Sequence, residues 1–243
     1  MLKLLHFSII ITLSSFLYSQ SISASFGPIF TLSHALVPVV NGKDDFDNTD
    51  YTFSFSFEQY FKDKKYSLMV SYCNFNGCTF ILFEEGGYIS GGGVITATGF
   101  CAGVDIKRYD LGISYLLTKT NRKFYFKPFV GAGLQVSRKT GWEIWNEEPI
   151  NGPNYFELEP VKAEPMNTTQ IVPSLGFRTG FVFWKRLDVG MNFQGVYAFN
   201  PYQKMYLKYQ YKGVVQPMAE YESTGTGLFV TFGIGYRFAK LKK

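Results

Sequence analysis

Histidine, cysteine and charge are scarce in this chain. Two histidines and three cysteines supply too few ligands for a zinc finger or a multi-ligand metal centre, and no metal or cofactor is expected. Charged residues make up 18% of the sequence, against roughly 25% in an ordinary globular domain. Aromatic residues reach 19%, which excludes a disordered chain. Mean hydropathy is −0.02 and repeated apolar runs of about 20 residues are missing, which excludes a bundle of membrane helices. There is no HExxH sequence, no nucleophile elbow and no phosphate-cradling glycine loop opening a helix. Neither an enzymatic activity nor a nucleic-acid partner is expected.

What remains begins with an export signal. Lys3 lies in a short basic start, Phe7 to Leu17 is largely apolar, and Ser19, Ser21 and Ser23 follow. That order is the layout of a secretory signal peptide, and the apolar run is too short to cross a bilayer. Residues 1–20 are therefore expected to be removed, leaving 21–243 as one folded domain.

That domain reads with period two, the mark of strands with two unlike faces. Tyr51, Phe53, Phe55 and Phe57 alternate with Thr52, Ser54, Ser56 and Glu58. Leu228, Val230, Phe232, Ile234, Tyr236 and Phe238 alternate with Phe229, Thr231, Gly233, Gly235 and Arg237. Eight such segments are expected, at about 24–34, 51–61, 66–75, 105–117, 124–137, 169–184, 187–199 and 225–238. Ten would result if Thr79 to Phe83 and Val94 to Phe100 also crossed. Tight turns alternate with four long connections, 35–50, 76–104, 138–168 and 200–224. Short turns on one side and long loops on the other describe an all-β, antiparallel, up-and-down transmembrane barrel.

The faces separate a membrane barrel from a soluble one. One face is bulky and aromatic, whereas the other carries Gly, Ser, Thr, Asn and ions. Eight strands enclose a narrow interior that a ring of Phe and Tyr would overfill. The aromatic face must then look outward, where only lipid solvates it. Aromatics gather at both strand ends as interfacial girdles. Tyr60, Phe61, Tyr66, Phe124, Tyr125, Phe126, Phe183, Trp184, Tyr236 and Phe238 lie beside the short turns. Tyr51, Tyr72, Phe75, Tyr197 and Phe199 lie beside the long loops. The expected location is a bacterial outer membrane, with both termini periplasmic.

Charge is sorted along the axis. The short turns and the C-terminal tail hold eleven cations against one carboxylate, Asp63. Three of the four long loops are net acidic, with Asp44, Asp45, Asp47 and Asp50 in the first. Inside, Glu58, Lys127 and Arg178 fall at one height, Asp188 and Arg237 near the lower rim, and Asp110 higher. Charges in so narrow a lumen must pair. The expectation is a salt-bridge plug, Glu58 against Lys127 or Arg178 and Asp188 against Arg237, either permanent or opened by pair exchange.

Strand count, loop asymmetry and the last strand together resemble the small outer-membrane barrels of the OmpA and OmpX type. The closing segment Gly233, Ile234, Gly235, Tyr236, Arg237, Phe238 is similar to the C-terminal signal read by the barrel assembly machinery, although five residues follow it. The resemblance implies a surface scaffold for adhesion, ligand contact or envelope integrity, set among outer-membrane lipid. An accessory subunit of an envelope transport or secretion assembly and a small channel for apolar solutes are the alternatives. A lipid A-modifying enzyme fits less well, because its His-x-Ser pattern fails at Leu36, two residues after His34. Trp142, Trp145 and Tyr155 in the third loop would anchor an extracellular partner or pack on one another. Cys78 and Cys101 bracket the second loop and would form a disulfide after export, or stay reduced with Cys73.

Overall fold

Strands whose two faces meet different surroundings need partners on both edges, and here the sheet closes on itself. The computed structural model describes residues 20–38, 42–43, 46–61, 65–88, 94–118, 123–139, 157–211 and 214–238. Among these residues all regular structure is strand: β1 (Gln20–Val37), β2 (Gly42–Lys43), β3 (Phe46–Tyr60), β4 (Tyr66–Tyr88), β5 (Val94–Tyr115), β6 (Phe124–Lys139), β7 (Glu157–Pro165), β8 (Thr168–Phe183), β9 (Leu187–Val196), β10 (Gln203–Tyr211), β11 (Val214–Val215) and β12 (Ala219–Arg237). Eight of them form the barrel in the order β1-β3-β4-β5-β6-β8-β9-β12, and β12 pairs back onto β1. The closing seam runs antiparallel from Ser21↔Arg237 through Ile29↔Phe229 to Val37↔Glu220. Pro28 sits inside β1 without breaking it, opposite Tyr51 of β3.

The short turns and both ends of the described chain share one end of the barrel. Phe61 N–H donates to Tyr66 C=O at 3.0 Å and Leu117 N–H to Phe126 C=O at 3.0 Å. Phe238 N–H donates to Gln20 C=O at 2.9 Å, which ties the last strand to the first. At the third turn Arg186 N–H bonds Phe183 C=O at 3.0 Å. Trp184 and Lys185 between them hold φ of 46° and 65°, the left-handed conformation of a type I′ turn.

The other end departs from the expected long loops, because strand continues through much of them. β4 and β5 run far past the barrel as one hairpin, pairing again from Thr79↔Phe100 to Tyr88↔Val94. Thr79 to Phe83 and Val94 to Phe100 are thus the upper lengths of two barrel strands and not a ninth and tenth. β10 pairs with the upper part of β12 and with β7, making a flap over the same end. Backbone leaving the membrane still needs hydrogen-bond partners, and β-prone residues such as Phe80, Ile81, Val94 and Ile95 keep the ladder going. Residues 1–19, which include nearly all of the expected signal peptide, lie outside the described residues, as do Trp142, Trp145 and Tyr155.

Outward positions form a continuous apolar belt. Leu175, Ile171, Val130 and Ile234 are 61–70% exposed. Outward rings meet one another across strands, as Phe26 on Tyr51 at 5.3 Å and half-buried Tyr72 beside Tyr109 at 5.2 Å. Three aromatics expected in the girdles instead face the lumen. Phe75 and Tyr125 are buried, and Tyr60 is half-buried with its hydroxyl on Glu58. Their parity explains this: Phe75 falls in step with Ser71 and Cys73, Tyr125 with Lys127, Tyr60 with Glu58.

Glycine makes room for the inward tyrosine. A Cβ on Gly190 would lie 2.4 Å from the Tyr125 hydroxyl and 2.5 Å from the Thr179 carbonyl. On lipid-facing Gly195 the nearest atom would be 3.8 Å away. Gly190→Val should therefore destabilise the barrel by about 1–3 kcal/mol, and Gly195→Val should be nearly neutral. Urea unfolding of protein refolded into lipid vesicles measures both.

Candidate functional site: the ion-paired lumen

Small residues on the inner face leave room for a few long charged side chains, and the barrel stacks these in layers. At the lower rim Asp188 of β9 meets Arg237 of β12 at 2.7 Å. The Tyr125 hydroxyl donates to the other Asp188 oxygen at 2.6 Å. The Arg237 guanidinium also lies 5.3 Å from the centre of the Tyr125 ring.

One layer up, Glu58 is the hub. Lys127 donates to both of its oxygens, at 2.8 and 2.7 Å. Ser67 and Tyr60 hydroxyls also donate to it, and Ser114 does so at 3.2 Å. Arg178 stands at 3.7 Å. Lys127 and Arg178 are direct cross-strand neighbours on β6 and β8. Two like charges side by side repel, and a carboxylate reaching across the lumen from β3 holds both. Glu58 and Lys127 are each only 3% exposed at the side chain, so neither has water to fall back on.

The third layer contains a residue that the sequence reading passed over. Asp110 is paired not with Lys127 or Arg178 but with Arg108, two residues earlier on β5, at 3.0 Å. Arg108 also donates to Gln194 Oε1 at 3.1 Å and lies 4.2 Å over the Phe229 ring. Extending the alternation of Asp110 and Gly112 back by two positions would have found it. Above Arg108 the lumen changes character. Ile29, Phe75, Val104, Ile106, Val172, Val196, Ala198, Tyr202 and Phe229 form a buried apolar cluster. The expected polar layers are therefore only the lower half of the filling, and above them the apolar cluster lies as a ceiling beside buried Thr31, Gln135, Ser137 and Gln203. Phe75 packs edge-on against Phe229 at 5.3 Å, and Tyr202 reaches in from the β9–β10 connection to lie against Gly77.

The remaining candidates are dispersed. His34 is exposed at the upper end of β1, opposite Glu222, and the Ser33 side chain lies outside the described residues. Nearby, Lys204 of β10 lies 3.5 Å from Glu220 and also hydrogen-bonds Glu222, which raises its pKa. The β4–β5 register shift sets residue 78 opposite 101–103, but the side chains of Cys78 and Cys101 lie outside the described residues. Cys73 is a buried free thiol. In the expected assembly segment, Gly233 and Gly235 face the lumen, while Tyr236 and Phe238 lie exposed on the outer face with ring centres 5.4 Å apart.

A closed eight-stranded up-and-down barrel, apolar outside and ion-paired inside, is the architecture of the small outer-membrane barrels. No protein-family model and no curated protein matches the chain in sequence. Among solved structures it is similar to the outer membrane protein OprG from Pseudomonas aeruginosa, at 14% identity over 91% of this chain and 97% of that one, with a TM-score of 0.49. It is also similar to the N-terminal β-barrel domain of Pseudomonas aeruginosa OprF, at 8% identity, 90% and 98% coverage and a TM-score of 0.42. For the attachment invasion locus protein Ail of Yersinia pestis, solved with the heparin analogue sucrose octasulfate, the values are 11% identity, 90% and 99% coverage and a TM-score of 0.37. These are likenesses of architecture.

Removing the carboxylate leaves Lys127 and Arg178 side by side with no counter-charge between them. Glu58→Gln should destabilise the barrel by about 3–5 kcal/mol. The double variant Glu58→Gln/Lys127→Met should recover part of that loss, since Arg178 remains. A double-mutant cycle from urea unfolding in vesicles measures the coupling, and additive single effects would contradict it.

Proposed function

We propose that the chain is an integral outer-membrane barrel without enzymatic activity, with a sealed lumen, working through the structures above its long-loop end. The observation that carries this reading is the outward belt of large apolar side chains around a cylinder with no free edge. Only hydrocarbon solvates such a belt, and only a closed sheet satisfies its own backbone there. Tight ion pairs below and packed rings above support the sealed lumen. The short-turn end, with its lysines and both termini, would then face the periplasm. The β4–β5 hairpin and the β7–β10 flap would stand outside the cell as contact surfaces for adhesion or ligand.

A second reading has one observation in its favour. β8–β9 pairing stops at Ser174↔Val196, yet β8 extends down to Thr168 on the upper side. Gln170 stitches this gap through hydrogen bonds to the N–H groups of Phe199 and Asn200, at 2.9 and 2.8 Å. An apolar upper lumen beside a side-chain-closed seam would suit lateral passage of an apolar solute.

Planar-bilayer recording separates the readings from an open pore: purified protein should show no steady ionic conductance, and a large stable current would refute the seal. Liposomes carrying the protein should take up small apolar solutes no faster than empty ones. Faster uptake, increased by Gln170→Ala, would favour the lateral path. Deleting residues 79–100 should leave the barrel folded in the membrane and remove cell adherence to coated surfaces.

A further inference from the structure

Alongside the ion layers, from Asp188 up to Phe229, lies a cavity that the side chains leave unfilled. It offers about 40 Å³ to the centre of a water-sized particle, where one water needs roughly 10–15 Å³. Arg108, Arg178, Asn192, Gln194 and several serines line it, as do Asp110 and Asp188, each already held by an arginine.

The charges around this cavity do not balance. Below the ceiling the inward ionisable acids and bases of the described residues are Glu58, Asp110 and Asp188 against Arg108, Lys127, Arg178 and Arg237. Each carboxylate already has a close cation: Lys127 on Glu58, Arg108 on Asp110, Arg237 on Asp188. Arg178 is left over. It holds the Ser23 hydroxyl at 3.0 Å and stands 3.7 Å from a carboxylate that Lys127 has taken. Its side chain is 15% exposed, and a cation so largely desolvated without its own counter-charge is costly.

The lining also has donors to spare. Arg108 Nη1 and Gln194 Nε2 are buried and have no hydrogen-bond partner. Ser23 bonds Ser56 at 2.6 Å, and Ser25 bonds Ser54 at 2.6 Å. Each pair uses one of its two hydroxyl protons, so one proton per pair remains to donate. Two buried acceptors also lack partners, Asp110 Oδ1 and Asn192 Oδ1, as does the Thr231 hydroxyl, which can donate. The first is turned against Gly133, where a Cβ would be 2.3 Å away, and flipping the Asn192 amide presents its N–H₂ group instead.

We propose that the cavity binds one monovalent anion of halide size, held by Arg178 and Arg108 and by the free serine protons. Water would satisfy the donors but leave the extra charge. The volume admits a halide. The anion completes the lower plug and is independent of what the outer surfaces contact.

The test uses the full-length barrel refolded in detergent with gluconate, chloride or bromide at equal ionic strength. Chloride and bromide should raise the unfolding midpoint saturably by a few degrees over gluconate. Crystals grown in bromide should show an anomalous peak within hydrogen-bond reach of Arg178 and Arg108. Asn192 is the cross-strand partner of Arg178, so Asn192→Asp builds in a counter-charge and should abolish the halide effect. Arg178→Gln removes the excess cation and should do the same, should the first variant fail to fold. Lys123→Gln, at the exposed turn, should keep the effect. Equal midpoints in all three salts would overturn the proposal. So would an undiminished effect in both lumen variants, or bromide found only outside the lumen.

Discussion

The peptide groups of a strand crossing hydrocarbon have no water to bond, and the rest of this molecule follows from that. Every N–H and C=O must find a partner on a neighbouring strand, so the sheet has to close. Here the closure is made by β12 returning to β1 over most of their lengths. Eight strands give a cylinder too narrow for large side chains at every inward position. Glycine and serine therefore dominate the lower inner face, and the few long side chains that enter must be packed or paired. The outer face is under the opposite demand and carries Phe, Tyr, Leu, Ile and Val.

The ion layers follow from the same narrowness. Lys127 and Arg178 are neighbours with like charge, a pairing that would destabilise an ordinary sheet. Glu58 makes it tolerable by reaching across the barrel and accepting hydrogen bonds on both oxygens. A buried network of this kind adds little to stability compared with a well-packed apolar filling. It does fix register. A slip of one residue on any of these strands would turn Glu58, Lys127 or Asp188 toward lipid, so the ions select one pairing among several that the apolar pattern alone would permit.

Much of this was legible because period two is a strong signal wherever the two faces meet different solvents. Tyr51 to Glu58 and Leu228 to Phe238 gave away strand, face and closure, and the heights of Glu58, Lys127, Arg178, Asp188 and Arg237 followed by counting. Arg108 was missed because the alternation was not carried two positions above Asp110. Tyr60, Tyr125 and Phe75 were misplaced because an aromatic near a strand end suggests a girdle, although their parity with Glu58, Lys127 and Cys73 pointed inward. The upper strand lengths were illegible for a physical reason. Beyond the membrane no lipid sets one face of a strand against the other, the contrast disappears from the sequence, and Thr79 to Tyr88 reads as loop.

The lumen holds two kinds of filling, and in the proposed sealed barrel each covers a weakness of the other. An ionic layer blocks ions by charge and size, but its pairs can exchange partners, since Arg178 already lies within 3.7 Å of Glu58 while Lys127 occupies it. A swap of that kind would open a wet path if nothing stood above it. The ceiling of Phe75, Phe229, Ile29 and Ile106 presents rings and methyl groups, with Thr31 and Gln135 buried beside it, so in the proposed sealed barrel rearrangement below would not by itself make a channel. An apolar filling alone would leave the narrow base, where only small residues fit, poorly packed. Arg108 joins the two halves, with its guanidinium bonded to Asp110 on one side and laid on the Phe229 ring on the other. A change in the lower layers would therefore disturb Phe229 as well, which would make the proposed seal a property of the whole filling and not of any single ion pair.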